Sequence, residues 1–216
     1  MKTIKILRFS IIVIGLLFVS EASAQYSKEA RKAAKEKADK DARKEAKRMK
    51  KDGYANLPGD LPLEKQLQRS FEMQYEFDDS GMSKFLVATG TATSGSSAVA
   101  ASNAMDNARV ELAGLISSQV ANLIKTNKAS TQLSPEDVET IDKFLSSSQT
   151  FVNAELGMIN PVVKAEKKVN NKVVERRVVV GYSFEQARKV AQNLVKKELQ
   201  EELDANDAEL QKLLGL

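Results

Sequence analysis

The sequence predicts an α+β fold, in which a small antiparallel sheet of about three strands packs against long helices. Three observations predict it. Residues 84–125 have the pattern of a strand, a glycine-serine turn and a long helix, and residues 160–183 have the alternating pattern of a hairpin, followed by another helical segment. A Lys/Arg/Ala-rich stretch precedes these segments and predicts an extended basic helix before the sheet.

The first 24 residues have the organisation of a secretory signal peptide. Three basic residues precede an apolar run over 11–19, and Ala22-Ser23-Ala24 is a small-residue cleavage site. The apolar run is about ten residues long, which is shorter than the roughly 18 residues of a membrane span. We therefore expect an exported protein of the periplasm or cell envelope, without a transmembrane span.

The remaining length suits one domain with an appendage, because the whole chain has 216 residues. Asp52-Gly53 and Pro58-Gly59 indicate a break and a turn between the appendage and the domain. The expected division is a signal peptide at 1–24, a basic helical arm at 25–52, a linker at 53–61 and a single α+β domain at 62–216.

The basic arm dominates the charge of the chain. Residues 28–51 contain twelve Lys or Arg and five acids, a local net charge of +7, whereas the whole chain carries +4. Alanines recur every fourth residue from 30 to 46, so the apolar stripe of this helix consists of methyl groups until Met49. The main interpretation is a solvated helix or a partly frayed spacer.

The alternative interpretation of the arm is an electrostatic contact with an envelope protein or an anionic envelope surface. A nucleic-acid partner is not expected, because no aromatic residue stands among the charges to stack on bases. The candidate contact residues are Lys28, Arg31, Lys32, Lys35, Arg43 and Lys47.

The domain is predicted to contain four helices and three strands. The helices are expected at 62–79, 97–125, 135–156 and 184–203, and the strands at 84–94, 160–169 and 172–183. We expect the second and fourth of these helices to cover one face of the sheet and the other two to complete the packing.

The strand and helix at residues 84–125 form the central unit of this prediction. Threonines alternate with Ala88, Gly90 and Ala92, which makes one face of the strand suitable for close packing. The inner face of the helix is expected to start with Ala98 and Ala101. The inner-face side chains are small in the first half of the helix and large in the second half. The first turns of the helix should therefore lie closer to the sheet than the last turns.

Most catalytic chemistry is excluded by composition. The chain has no His and no Cys, so it lacks the Ser-His-Asp and Cys-His arrangements and the usual zinc ligands. We expect no enzymatic activity, no cofactor and no metal site. Asp78-Asp79 is interpreted as a solvated turn rather than a cation site. Arg176 and Arg177 are interpreted as an outward-facing residue and an edge-protecting residue of the hairpin.

The turn from Gly90 to Ser97 has the glycine spacing of a phosphate-binding loop, but Ser96 stands where that motif needs Lys. A plain flexible turn is the main interpretation. Amide groups at a helix N-terminus can hold an anion without the lysine, so Gly95, Ser96 and Ser97 are a candidate anion contact. The alternative to an interaction protein is therefore a small-ligand or anion-binding domain that uses this turn.

One family resemblance follows from the alanine-rich helix between a strand ending in G-x-A and a late valine-rich hairpin. The helix carries Ala101, Ala108, Arg109, Leu112, Ala113 and Ile116. This combination, over about residues 85–203, resembles the Lpp-twenty-like family of bacterial envelope lipoproteins, which is similar to the N-terminal domain of flagellar assembly protein T. The chain lacks the lipidation cysteine of that family and adds the basic arm. The resemblance implies an α+β envelope domain with a non-enzymatic assembly or interaction role.

Overall fold

The structure is a computed structural model that describes residues 28–78, 81–128 and 135–203. The expected signal peptide at 1–24 lies outside the described residues. The elements are α1 (28–51), β1 (Ala55–Asn56), α2 (Leu63–Gln74), β2 (Phe85–Ser94), α3 (Ser97–Lys128), α4 (Pro135–Glu155), β3 (Pro161–Lys168), β4 (Val174–Ser183) and α5 (Phe184–Leu203). The predicted α+β class is confirmed.

The strands form one antiparallel sheet in the order β1-β3-β4-β2. The predicted hairpin is present as β3 and β4, and β2 pairs with the other side of β4 along its whole length. The sheet has four strands rather than the three expected. The extra strand, β1, pairs Ala55 with Glu166 and Asn56 with Ala165, so part of the expected linker belongs to the sheet.

Helix α3 covers the face of the sheet that carries Ala88 and Gly90, which we call the first face. A β-carbon at Gly90 would lie 1.9 Å from the carbonyl oxygen of Ala104 and 2.3 Å from the backbone nitrogen of Ala108. Only glycine permits such an approach between a strand and a helix backbone. The predicted close packing of the first turns of this helix is confirmed.

The expected start of the inner face of α3 is wrong by part of a turn. Ala98 is exposed and Ala101 is half-buried, whereas Ala100 and Ala104 are fully buried. The contact with Gly90 sets the rotation of the helix, and residues four positions apart then share the buried side. The sequence pattern alone did not fix this rotation because most residues in these turns are small.

The wider part of the first face is an aliphatic core shared by α3, α4, α5 and the two strands β2 and β4. Its large buried side chains, all aliphatic except that of Phe144, are Leu112, Ile116, Ile141, Phe144, Val152, Leu156, Ile159, Val178, Val180 and Leu194. Arg109 of α3 ties this layer together, since it donates to the carbonyl oxygens of Asn153, Leu156 and Gly157 at the end of α4. Helix α4 has no basic residue in its last turn, so Arg109 supplies the positive charge there.

The opposite, second face of the sheet is covered by α1 and α2. Its buried apolar residues on the strands are Val163, Ala165 and Val179. Leu63 and Leu67 of α2 pack on them, as the four-residue spacing of that helix allows. Helix α2 ends at Gln74, earlier than expected. The second face is thus a separate core, built by segments on both sides of the domain boundary expected at residue 62.

Side chains from the helices bind the backbone at both sides of the sheet. Gln66 of α2 is buried and its Oε1 accepts a hydrogen bond of 2.7 Å from the backbone N–H of Lys164 in β3. On β2, the backbone N–H of Thr89 donates to Glu111 of α3 at 3.0 Å. These bonds satisfy outward-facing strand groups that could otherwise pair with another chain.

Candidate functional site

Helix α1 docks on the second face of the sheet through its alanine stripe. Ala38, Ala42 and Met49 are fully buried, and Ala46 nearly so. Small methyl groups let the helix backbone approach the strands closely, and Met49 fills the space beside Tyr54. The interpretation of a solvated helix or frayed spacer is therefore wrong for residues 38–49, because the sheet provides an apolar face that the local pattern could not reveal.

Two of the three acids of the docked half of α1, Asp41 and Glu45, contact the body of the protein, and the third, Asp39, is half-buried on the flank of the helix. Asp41 accepts a hydrogen bond of 2.7 Å from the hydroxyl of Tyr75 in α2. Glu45 accepts from Arg48 at 2.6 Å and lies 3.5 Å from Nη1 of Arg177 in β4. The hydrogen bond from Arg48 is the main cause of the lowered pKa of Glu45. Two of the negative charges of this half of the helix are thus held by Arg48 of α1, Tyr75 of α2 and Arg177 of β4.

The outward face of the same turns is purely cationic. It consists of Lys40, Lys44, Lys47 and Lys51, all of them exposed. Their spacing of four, three and four residues places them within about 60° around the helix axis, on the side opposite the buried stripe. Within the described part of the chain, none of these four ammonium groups forms an ion pair. We call these four residues the lysine stripe.

The predicted contact residues are spread over α1 and do not form one surface. Lys28, Arg31, Lys32 and Lys35 are exposed on the part of α1 that precedes the docked half. The exposed side chain of Arg43 lies 3.5 Å from Glu64 of α2. Among the predicted contact residues, Lys47 alone belongs to the lysine stripe.

Lys40, Lys44 and Lys51 are not among the contact residues predicted from the sequence. The signal that could have identified them is their helical spacing on the side opposite the alanines. The net charge of residues 28–51, on which the predicted contact residues are based, does not show which side of the helix each lysine occupies.

The predicted anion contact at Gly95, Ser96 and Ser97 lies in an exposed turn at the start of α3. Ser96 caps the helix, since its Oγ accepts from the N–H of Val99 at 3.5 Å. The hydroxyl of Ser97 donates to the carboxylate of Glu166 at 2.5 Å. The Ser97 hydroxyl is therefore already engaged by a carboxylate of the sheet. Anion binding at this turn stays a prediction.

Arg176 is the buried counterpart of that carboxylate. Its Nη2 lies 3.0 Å from Glu166 and donates to Ser97 at 2.8 Å. Its Nε is buried and has no hydrogen-bond partner among the described residues. Arg176 and Arg177 point to opposite faces of β4, an interior strand, so their predicted outward and edge positions are wrong. Strand order, which the sequence did not specify, decides this.

A shallow cleft of about 710 Å³ lies at one end of the sheet, between α2, the segment before β3 and the start of α5. Met73, Phe85, Met158 and Tyr182 contribute apolar surface to it. Burial raises the pKa of Tyr182, which favours its neutral form. Charged and polar side chains, among them Arg69, Glu72 and Glu76, line the rest of the cleft, which is therefore of mixed character, and no sequence motif indicates it.

Comparison of the chain with protein-family models, curated proteins and solved structures finds no match. The resemblance to the Lpp-twenty-like family accordingly stays a prediction. Across residues 28–78, 81–128 and 135–203, no helix is both long enough and apolar enough to cross a membrane.

Proposed function

We propose that this protein is a non-enzymatic interaction or structural protein of the bacterial cell envelope, and that the lysine stripe is the surface by which it binds an anionic partner. The observation that carries the proposal is the separation of charge on the docked half of α1. Asp41 and Glu45 are bound inward by Tyr75 and Arg177, while four lysines face outward together.

Docking gives these charges a fixed geometry. A solvated helix rotates and bends freely, so the positions of its charges are averaged over many orientations. Helix α1 is instead held against the sheet by Ala42, Ala46 and Met49. A preorganised surface loses less conformational freedom on binding than a mobile one does. Clustered cations also raise the rate at which an anionic partner is encountered.

The placement in the envelope rests on the signal-like first 24 residues, and the interaction role agrees with what the family resemblance implies. The motif of that resemblance includes Arg109, Leu112 and Ile116, all of which serve packing or helix capping in this fold. These residues therefore support a proposal of shared architecture, and the basic helix is the addition that distinguishes this chain.

The test is crosslinking in cells that produce the full chain. In the stripe variant, Lys40, Lys44, Lys47 and Lys51 are replaced by Gln, which keeps helix propensity and removes four charges. In the control, the exposed Lys65, Lys168, Lys172 and Lys189 are replaced by Gln, which removes the same number of charges together with two exposed contacts within single helices, Lys65 to Gln68 and Lys189 to Glu185. Both variants should unfold at the same temperature.

We expect the yield of crosslinked envelope material to fall at least several-fold in the stripe variant and to be unchanged in the control. Equal yields from the native protein and the stripe variant would contradict the proposal. An equal fall in both variants would show that net charge alone, and not this surface, is responsible.

A further inference from the structure

We propose that the partner of the lysine stripe is the anionic surface of a phospholipid bilayer, on which α1 lies flat without inserting. This inference rests on the proposed function, because it names the chemical class that the stripe binds. It commits to lipid headgroups rather than to a protein.

The shape of the surface suits a plane. The stripe extends over about 16 Å along α1, given a rise of about 1.5 Å per residue. It lies on the outermost side of the helix that covers the second face, opposite Ala42 and Met49, which are buried against the body. A flat surface can therefore contact all four ammonium groups at once. The partner does not need a concave surface to do so.

The chemistry of the stripe favours headgroups over a protein partner. Protein interfaces depend on aromatic, aliphatic and arginine anchors, and their centres are depleted in lysine. Eight large apolar side chains of the described residues are notably exposed: Leu61, Phe77, Met82, Val99, Val110, Leu115, Met158 and Val169. None of them belongs to α1, and the one large apolar side chain that lines the groove beside Lys44, Lys47 and Lys51 is the half-buried Phe71 of α2. A protein seated on the stripe would therefore find little apolar surface to bind.

The absence of apolar anchors on this part of α1 also sets the depth of binding. Interfacial helices that insert carry Leu, Phe or Trp on the lipid side. On α1 the apolar side is already used by the sheet, and the lipid side is made of lysine. Lysines with long flexible stems can remain in the headgroup layer and neutralise several phosphates without entering the hydrocarbon.

The stripe is confined to the docked half of the helix. On the same helical side, the preceding turns present Ala33, flanked by the exposed acid Glu36 and by Lys37, whose ammonium lies over the ring of Tyr75 at 4.4 Å. The cationic surface thus coincides with the part of α1 that the sheet holds in place. We expect the membrane contact to begin near Lys40 and to include the end of the helix at Lys51.

The expected strength follows from the number of charges. A lysine near an anionic leaflet improves partition by about fivefold, so four lysines together give roughly several hundred-fold at low salt. The attraction is screened within about 10 Å at 0.1 M salt, so binding should weaken strongly as salt is raised.

The experiment is cosedimentation with vesicles. Protein purified from cells that produce the full chain is mixed with vesicles of phosphatidylcholine alone, or of phosphatidylcholine with about 30% phosphatidylglycerol, a composition chosen so that several anionic headgroups lie under the stripe. The native protein, the stripe variant and the control with Gln at 65, 168, 172 and 189 are compared at low and high salt. The difference between the two vesicle types isolates the electrostatic contribution.

We expect the native protein and the control to bind the anionic vesicles at least tenfold more tightly than the neutral ones, and the stripe variant to lose this preference. Equal binding of all three proteins would overturn the proposal, because the stripe would not be the contact. If anionic vesicles are not preferred while crosslinking in cells still depends on the stripe, the lipid assignment is wrong, the interaction surface stands, and its partner is a protein.

Discussion

The two faces of the sheet are covered in different ways. The first face is a core of large aliphatic side chains from α3, α4 and α5, with one very close backbone contact at Gly90. The second face is covered by alanine methyl groups together with Met49, Leu63 and Leu67. Since hydrophobic stabilisation scales with buried apolar area, the first face contributes more per helix than the second.

Polar contacts supplement the weaker packing of the second face. The Tyr54 hydroxyl donates to Glu175, and the Lys167 ammonium lies 3.0 Å from the same carboxylate and 4.7 Å from the ring of Tyr54. The hydrogen bond from Tyr54 is the main cause of the lowered pKa of Glu175, and burial is the main cause of the raised pKa of Tyr54. The second face should therefore respond to pH through Glu45 and Glu175, the two carboxylates on this face whose pKa values are lowered.

The largest effect is expected from Gly90→Ala on the first face. The added methyl group would meet the backbone of Ala104 and Ala108, which cannot move without displacing α3, so the loss in the free energy of unfolding should exceed about 3 kcal/mol. Urea unfolding measures it. The control is Gly157→Ala, where no atom lies within 4 Å of the new carbon. A stable Gly90→Ala protein with the native unfolding midpoint would refute the close contact.

A smaller effect is expected from Met49→Ala on the second face. Removing this buried side chain should lower the free energy of unfolding by about 2 to 3 kcal/mol. Because α1 is held by few large residues, its amide hydrogens should exchange faster before the first face opens. Hydrogen exchange resolved along the chain separates the two events. Met158→Ala, at a side chain that is 90% exposed, should change neither measurement.

Slow exchange of α1 in the Met49→Ala protein would contradict this expectation, since it would mean that alanine contacts alone hold the helix. Simultaneous exposure of both faces would contradict it in a different way. In that case the two cores would unfold as one unit, so they would differ in position and packing but not in stability.

The smallest effect is expected from acid. The pKa values of Glu45 and Glu175 are lowered in the folded protein, so their stabilising contribution is present above the unfolded value of about 4.3 and is lost as pH falls through the folded values. After solvent screening the loss is about 1 kcal/mol or less, and it should appear first as faster exchange in α1.

The acid experiment compares the native protein with two variants. The first is the double variant with Glu45→Gln and Glu175→Gln, and the second is the control Glu29→Gln, at an exposed residue near the start of α1. The double variant should lose the extra slope of stability against pH below about pH 5, and the control should keep it. Identical slopes in all three proteins would show that these carboxylates do not link α1 to pH.

The fold could be predicted from the sequence to a large extent. The alternation in β2 and in the hairpin, and the helical spacing of α2 and α3, gave those elements their class and most of their bounds. The short strand β1 could not be predicted, because two residues carry no periodicity and Ala55 and Asn56 become a strand only by pairing with β3. The candidate site was found only in part, with Lys47 included and Lys40, Lys44 and Lys51 missed.

Local sequence was enough to identify the long helices and the three longer strands, since helical hydrogen bonds and side-chain periodicity are local properties of the chain. Tertiary structure decided whether α1 is a free arm or a layer of the domain. Alanines every fourth residue suit both states, and the choice depends on the apolar surface formed by Val163 and Val179 more than a hundred residues away. Docking on that surface brought Asp41 and Glu45 into contact with the body and left the lysine stripe on the opposite side of the helix.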